Sequence, residues 1–545
     1  VAVTTNDQRG QRQLTRRGLL QGTLLAGAAM AVPGVSTASE PRAFLHGVAS
    51  GDPLPTSVIL WTRVTPTPEA TPGSGLGPAV DVGWEIARDE DFRVVERAGT
   101  VTATAASDHT VHVDPFHLEP ATTYFYRFTA LSGEVAGEMS AVGRTRTHPS
   151  DDTDPGQWRL AVCSCANYES GYFGAYADIA RRAHAGEIDV AVHMGDYLYE
   201  YASGEYAGKH GVVRPHVPAW ELTTLADYRS RYGHYRRDAD LQAAHAALPW
   251  VVTWDDHEIA NNAWAGGADK HTGAKGEWGE RRDHAMQAYL EWLPVRGTSP
   301  SRGGHIYRTL RCGTLAELHM LDLRFYRSAP GLHNPQSRGD DRTIMGSEQF
   351  NWLSARLATA STRWNLIGTS VMMAPLNLID LAPEVKSHLL SLVGVDLAGT
   401  PINVDQWDGY QGDRDRLLTQ LAQAHGHGRT VFLTGDIHSE WANHIWVGDQ
   451  IVAAELVCSS VNASNVDDLL RVPADSAVSL AAEAHVRAHN PHIAHVDLDA
   501  HGYSTLLIHH DAVEMSWQRV SDVTVTGSGV STAHTMLYDA AHITA

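Results

Sequence analysis

Four apolar runs in this sequence stop at residues that can hold a cation or move a proton. LAVCSCAN ends in Cys165 and Asn167, and VAVHMGDYLY ends in Asp196 and Tyr199. WVVTWDDHEIANN ends in Asp255, Asp256, His257, Glu258 and Asn262, and TVFLTGDIHSE ends in Asp436 and His438. Any one of these ends has an ordinary explanation, since Gly-Asp makes turns and Asp caps helices. Four of them in one chain are harder to explain in that way. Carboxylates brought into one pocket repel one another, and bound cations are the usual remedy. Carboxylate and amide oxygens suit hard cations such as Ca2+ or Mg2+. A thiolate and a phenolate, from Cys165 and Tyr199, suit Fe3+ better than Ca2+. The pattern predicts a mixed site, with one iron-like position, one or more oxygen-ligand positions, and Asp196 bridging between them. Other chemistries find less support. GTSVM at 368–372 lacks the last glycine of a serine nucleophile elbow, and GGADKHTGAKG has the wrong lysine spacing for a phosphate-binding loop. The sequence has no Cys-x-x-Cys and no zincin motif.

The elements that must position these residues alternate. RLAVCSC reads as a buried strand, GYFGAYADIARRAHAG as a helix with Tyr172, Tyr176 and Ile179 at helical spacing, and IDVAVHMGD as the next strand. Residues 224–248 and about 279–292 read as helical, PWVVTWDDHE as a strand, and HIYRTLRCGTLAELHMLDLRF as two more. GSEQFNWLSARLATA and GDRDRLLTQLAQAH read as helices, each followed by a strand, RWNLIGTS and RTVFLTGDIHSEW. Such alternation predicts an α/β layer fold over 157–520, with ligands beyond the C-terminal ends of its strands. Ahead of it, 43–147 looks all-β, resembling a fibronectin type III or immunoglobulin-like sandwich, and the polar THPSDDTDPGQ at 147–157 reads as a linker. Behind it, 521–545 is expected to be a tail with a short helix in STAHTMLYDAAHITA. The apolar stretch 374–404 has no clean periodicity. It reads as a packed insertion, with a lid beside the site as the alternative.

With 545 residues, 43% of them hydrophobic, the chain is globular and long enough for more than one domain. A net charge of −21 disfavours general binding to nucleic-acid backbones and favours divalent cations. Four cysteines are too few for a disulfide framework. A bond between Cys163 and Cys165, two residues apart on one apparent strand, is not expected on geometric grounds, and a pairing of Cys312 with Cys458 stays open. Near the N-terminus, Arg16-Arg17 precedes a weakly apolar stretch and then small residues, which reads as a twin-arginine export signal cleaved after Ala38. The expectation is a monomer exported by the twin-arginine machinery and secreted, with no nucleic-acid partner.

Taken together, GDYLYEY, WDDHEIANN and GDIHSEW resemble the calcineurin-like metallophosphoesterase superfamily, and more closely its PhoD-like alkaline phosphatase family. HGVASGDPLPTSVILWTRV resembles the family's N-terminal sandwich, and CSCANYESGYFGAY its first catalytic strand and helix. The resemblance implies a metallophosphoesterase αββα sandwich preceded by a small all-β domain. It implies iron held by Cys165, Asp196, Tyr199 and His438, and one or two calcium ions held by Asp196, Asp256, Asp436 and Asn262. It also places His257 where the superfamily has its catalytic histidine, beside the scissile phosphate, with Asp196 as the other catalytic residue. The implied activity is hydrolysis of phosphate monoesters, and of some diesters, by metal-activated water. A phosphodiesterase or phospholipase D of the same fold is the alternative, for which 374–404 would offer a phospholipid contact. A non-enzymatic surface-binding protein is disfavoured by the intact ligand set.

Overall fold

Alternate residues of the central strands point to opposite sides, and each side is buried against something different. In the strand Gln157–Cys163, Leu160 and Val162 face one core while Ala161 and Cys163 face another. The computed structural model describes residues 43–330, 342–377, 404–424 and 428–544. The expected export signal at 1–38 and nearly all of the apolar stretch 374–404 lie outside the described residues.

Gln157–Cys163 sits in a ten-stranded sheet, and four neighbouring strands of that sheet run parallel: Gln157–Cys163, Val190–His193, Pro249–Val252 and Val48–Gly51. A seven-stranded sheet lies against it. Its parallel set is Ala316–Met320, Trp364–Thr369, Thr430–Thr434 and Gln450–Val457. The facing sides share one core, in which Leu160, Val162 and Val192 meet Leu318, Leu366 and Leu433. The outer sides are covered by helices. Ala161 and Trp250 pack with Tyr176 of the helix Gly174–His184, Tyr232 of Leu225–Tyr235 and Tyr289 of Trp278–Trp292. On the other side, Ile367 and Phe432 pack with Leu353 of Gly346–Ala358 and Leu417 of Gln411–Gln423. Sheet on sheet with helices outside is the expected αββα sandwich. Among the described residues no helix is long and apolar enough to cross a membrane.

The all-β region at 43–147 contributes to two layers. Val80–Ala87, Val95–Ala103, Thr123–Ala130 and Gly143–Arg146 form a separate four-stranded sheet. Val48–Gly51, Ile59–Arg63 and Thr110–Val113 instead extend the ten-stranded sheet, through the parallel pairing of Ser50 with Pro249. Val48, Leu60 and Val111 of the one layer bury Val82, Tyr126 and Phe128 of the other.

Two expectations change, and one open question closes. The tail at 521–545 is not helical among the described residues: Val530–Tyr538 and Ile543–Thr544 are strands that prolong the ten-stranded sheet. VSTAHTMLY carries the β-branched residues Val530, Thr532 and Thr535 and inserts Met536 and Tyr538, two apart on one face, into the shared core, which suits a strand. The helical span 224–248 is two helices: the first ends at Tyr235, and Asp238 caps the second, Ala239–Ala247, by accepting from the N–H groups of Asp240 and Leu241. Cys312 and Cys458 are free thiols, as are the other two cysteines.

Candidate metal centre

The parallel strands of both sheets end on the same side, and their first post-strand residues converge. Gly195 makes this possible on one side, since a Cβ there would sit 2.5 Å from Cβ of Asp255. Gly435 does so on the other, where a Cβ would meet the Ser164 side chain at 2.7 Å. The turns that follow are strained. Cys165, Asp196, Asn262, Asp436 and His438 all have left-handed backbones, with φ of 60°, 55°, 54°, 61° and 53°. A non-glycine residue in that region costs on the order of 1 kcal/mol or more, and such positions concentrate where function dictates geometry.

What holds the turns is buried hydrogen bonding. The Cys165 and Ala166 N–H groups donate to the carbonyls of Gly195 and Asp196 at 3.1 and 2.9 Å. The Glu258 carboxylate accepts from the N–H groups of Asp196, Tyr197 and Asp255 at 3.1, 2.6 and 2.8 Å. Glu258 therefore ties two strand ends together and is a scaffold residue. Asn167 is another: its side chain is fully buried, donating to the carbonyl of Tyr206 and accepting from the N–H of Glu169.

Three groups of possible ligand atoms result, each within 4.8 Å: Cys165, Asp196 and His438; Asp196, Asp256 and His257; Asp255, Asp256 and Asp436. Tyr199 joins the first, with its hydroxyl 3.2 Å from Oδ2 of Asp196 and 3.0 Å from Nε2 of His438. His438 is prepared as a neutral ligand. Burial pulls its pKa down to about 4, and Nδ1 donates to the Ser464 carbonyl at 2.6 Å, which leaves the Nε2 lone pair facing the site. Asn262 lies beside Asp256, to whose Oδ2 its backbone N–H donates at 2.6 Å; its side-chain nitrogen is given to Asp269, leaving Oδ1 as an acceptor.

The electrostatics call for cations. Burial raises the pKa of Asp196 well above the usual carboxylate range; His257 opposes this, and the Asp256 and Asp255 charges add to it. Asp436 is pushed up by burial and by Asp255, and the Cys165 thiol by burial and by Asp196. Oδ1 of Asp256 is buried and makes no hydrogen bond among the described residues, with a guanidinium nitrogen of Arg324 3.5 Å away. An orphaned buried carboxylate oxygen beside a thiol, a phenol and an imidazole is a donor set that fits bound metal.

Sequence reasoning missed several residues. Glu200 holds His257: its Oε2 lies 2.7 Å from Nδ1, and its Oε1 accepts from the N–H of Asn261 at 2.7 Å. Burial lowers the pKa of His257, but Asp256, Glu200 and Asp196 outweigh it and raise it well above the ordinary value. Arg324 is fully buried and ion-paired to Asp255 at 2.9 Å and to Asp405 at 2.6 Å, with Asp436 at 3.5 Å. Gln406 donates to Oδ2 of Asp436 at 2.7 Å. A signal for Arg324 was present: it follows the strand Ala316–Met320 in the same way that Asp196 follows its own.

This chain and its fold have known counterparts. The model for the PhoD-like phosphatase matches residues 160–517, and that for the PhoD-like phosphatase N-terminal domain matches 27–149. Alkaline phosphatase D of Bacillus subtilis (strain 168) is 36% identical over 509 residues, covering 91% of this chain and 80% of the relative. A solved structure of PhoD superposes with a TM-score of 0.80 at 34% identity, covering 93% of this chain and 92% of that one. The purple acid phosphatase PPD1 from yellow lupin (Lupinus luteus) seeds, 10% identical with a TM-score of 0.52 over 90% of this chain and 75% of that one, shares the fold. The chain belongs to the PhoD-like phosphatase family.

Proposed function

We propose that this protein is a metal-dependent phosphoesterase that hydrolyses phosphate monoesters, and some diesters, at the joint C-terminal edge of its two sheets. The observation that carries this reading is the sharing of ligand groups, since Asp196 belongs to two of the three and so does Asp256. Iron would be held by Cys165, Asp196, Tyr199 and His438, and calcium by Asp196, Asp256, Asn262 and Asp436. Bound there, the cations would supply Lewis-acid polarisation of phosphoryl oxygens and acidify a water.

The chain's own groups do the rest. His257 stands beside the carboxylates with Nδ1 committed to Glu200, so Nε2 is the atom that can give a proton to the departing oxygen. The backbone N–H of His257 donates to Oδ1 of Asp196 at 3.3 Å, which ties the acid to the carboxylate shared by two ligand groups. Arg324 fixes Asp255 and Asp405, and so the strand end that carries Asp256 and His257. Export through the twin-arginine route, read from Arg16-Arg17, would deliver the protein outside the cytoplasm already folded.

The test is a side-by-side assay, with Ca2+ supplied, on an aryl phosphomonoester, an aryl phosphodiester and phosphatidylcholine. A dominant monoester rate is expected. A dominant lipid rate would replace this reading with a phospholipase D.

A further inference from the structure

We propose that Tyr201 and Tyr206 form an aromatic wall that receives the leaving group, so that the site favours phosphate esters of planar aromatic alcohols. This deepens the phosphoesterase reading and rests on it. Three phenol rings surround the imidazole of His257, with Tyr199, Tyr201 and Tyr206 at centroid distances of 4.3, 5.2 and 6.3 Å. Tyr206 stacks on Tyr199 at 5.5 Å and 21°, and Tyr201 leans on Tyr206 at 5.4 Å and 40°.

The three rings are not equivalent. Tyr199 is fully buried, and its hydroxyl is engaged with Asp196 and His438. Tyr201 and Tyr206 are only partly buried, and among the described residues neither hydroxyl has a hydrogen-bond partner. Both rings stay partly exposed beside the His257 imidazole. The backbone beneath them is pinned. Glu169, fully buried, accepts from Ser203 Oγ, from the N–H of Gly204 and from the N–H of Tyr206 at 3.0, 2.9 and 3.3 Å. Arg231, also fully buried, donates to the carbonyls of Tyr199 and Tyr201. The wall is thus fixed.

The geometry then constrains the substrate. An acid must come within about 3 Å of the oxygen it protonates. The carbon attached to that oxygen must therefore lie against the rings that flank the imidazole. A flat aromatic group gains offset-stacked or edge contacts there that an aliphatic polyol does not.

The experiment compares the wild type with Tyr201→Ala, Tyr201→Phe and Tyr206→Phe on 4-nitrophenyl phosphate and on glycerol phosphate. Inhibition by free 4-nitrophenol is measured in parallel. Tyr201→Ala is expected to raise KM for the aryl ester and Ki for 4-nitrophenol roughly fivefold, and to leave glycerol phosphate within about twofold. Both Phe variants are expected to match the wild type, because the ring and not the hydroxyl makes the contact. Equal losses on the two esters, unchanged 4-nitrophenol inhibition, or a Tyr201→Phe as impaired as Tyr201→Ala would overturn the wall. A wild type inert on both esters would instead overturn the phosphoesterase reading, and the wall with it.

Discussion

Two regions of this protein bury carboxylates, and they satisfy them in opposite ways. On the helix Gly174–His184, Asp178 is met by Arg181 at 2.7 Å, by Arg182 at 2.9 Å and by the Tyr503 hydroxyl at 2.7 Å. Glu440 is held in a similar manner by two nitrogens of Arg519 at 3.0 and 2.6 Å. Burial alone would raise the pKa of Asp178, but Tyr503 and the two arginines hold it below the ordinary value. At the candidate metal centre the balance reverses. Asp196 and Asp436 are buried facing other carboxylates, and their pKa values are raised. A buried carboxylate whose cation is written into the sequence serves the fold. One whose neighbouring side-chain cations, here His257 and Arg324, are outweighed by burial and by other carboxylates is a candidate to bind a cation from solution.

The largest effect should come from Asp196→Asn, which removes a residue that belongs to two ligand groups and joins the thiol group to the carboxylates. Turnover of an aryl phosphomonoester is expected to fall on the order of 10³-fold, with loss of bound metal by elemental analysis. Asp178→Asn should leave both unchanged. An Asp178→Asn protein without metal would erase the distinction between the regions.

Removal of metal comes next. Dialysis against a chelator should abolish turnover and lower the denaturation midpoint, because the folded state then keeps repelling carboxylates together. A ligand at a hundred times its Kd contributes about 2.7 kcal/mol, which sets the scale of the shift. Returned cations should restore both. The shift should be the same in Asp178→Asn, since distant sites add.

Glu200→Gln sharpens the comparison within the site itself. Glu200 touches His257 and is not among the ligand groups. Its replacement should lower kcat roughly tenfold while metal content stays at the wild-type value. Metal lost from this variant would make Glu200 part of the ligand scaffold instead.

The smallest effect belongs to Asp178→Asn, a loss of about 1–2 kcal/mol in urea unfolding. The sign with pH follows from the lowered folded pKa. The stabilisation is fully present above the unfolded value of about 4 and is lost as pH falls through the folded one. Wild type and variant should therefore converge in acid. A difference that persisted there would mean that packing, not charge, is what Asp178 contributes.

The sequence carried much of this centre, for a local reason. Each apolar run ends one or two residues before its ligand, so Cys165, Asp196, Asp256 and Asp436 could be found without knowing which strands were neighbours. The rest depended on contacts between distant segments. Arg324 and Asp405 make sense only once two segments far apart in sequence meet, and their pairing leaves no mark in spacing. Glu200 looked like one more glutamate after two tyrosines until His257 arrived beside it. The pairing of Ser50 with Pro249, which joins the all-β region to the ten-stranded sheet, is of the same kind. Periodicity cannot announce it, because a strand reads alike wherever it is placed. The tail failed for another reason: a short helix was expected there, whereas its β-branched residues and the open edge at Val513–Val520 decided for a strand.

Elemental analysis of the wild-type protein beside Asp256→Asn tests the central claim most directly. Asp256 carries the orphaned oxygen and belongs to two of the ligand groups. The wild type is expected to hold about one iron and at least one calcium, with Asp256→Asn losing calcium and turnover together. A metal-free wild type that hydrolyses an aryl phosphomonoester at its full rate, or an Asp256→Asn protein with undiminished metal and turnover, would contradict it.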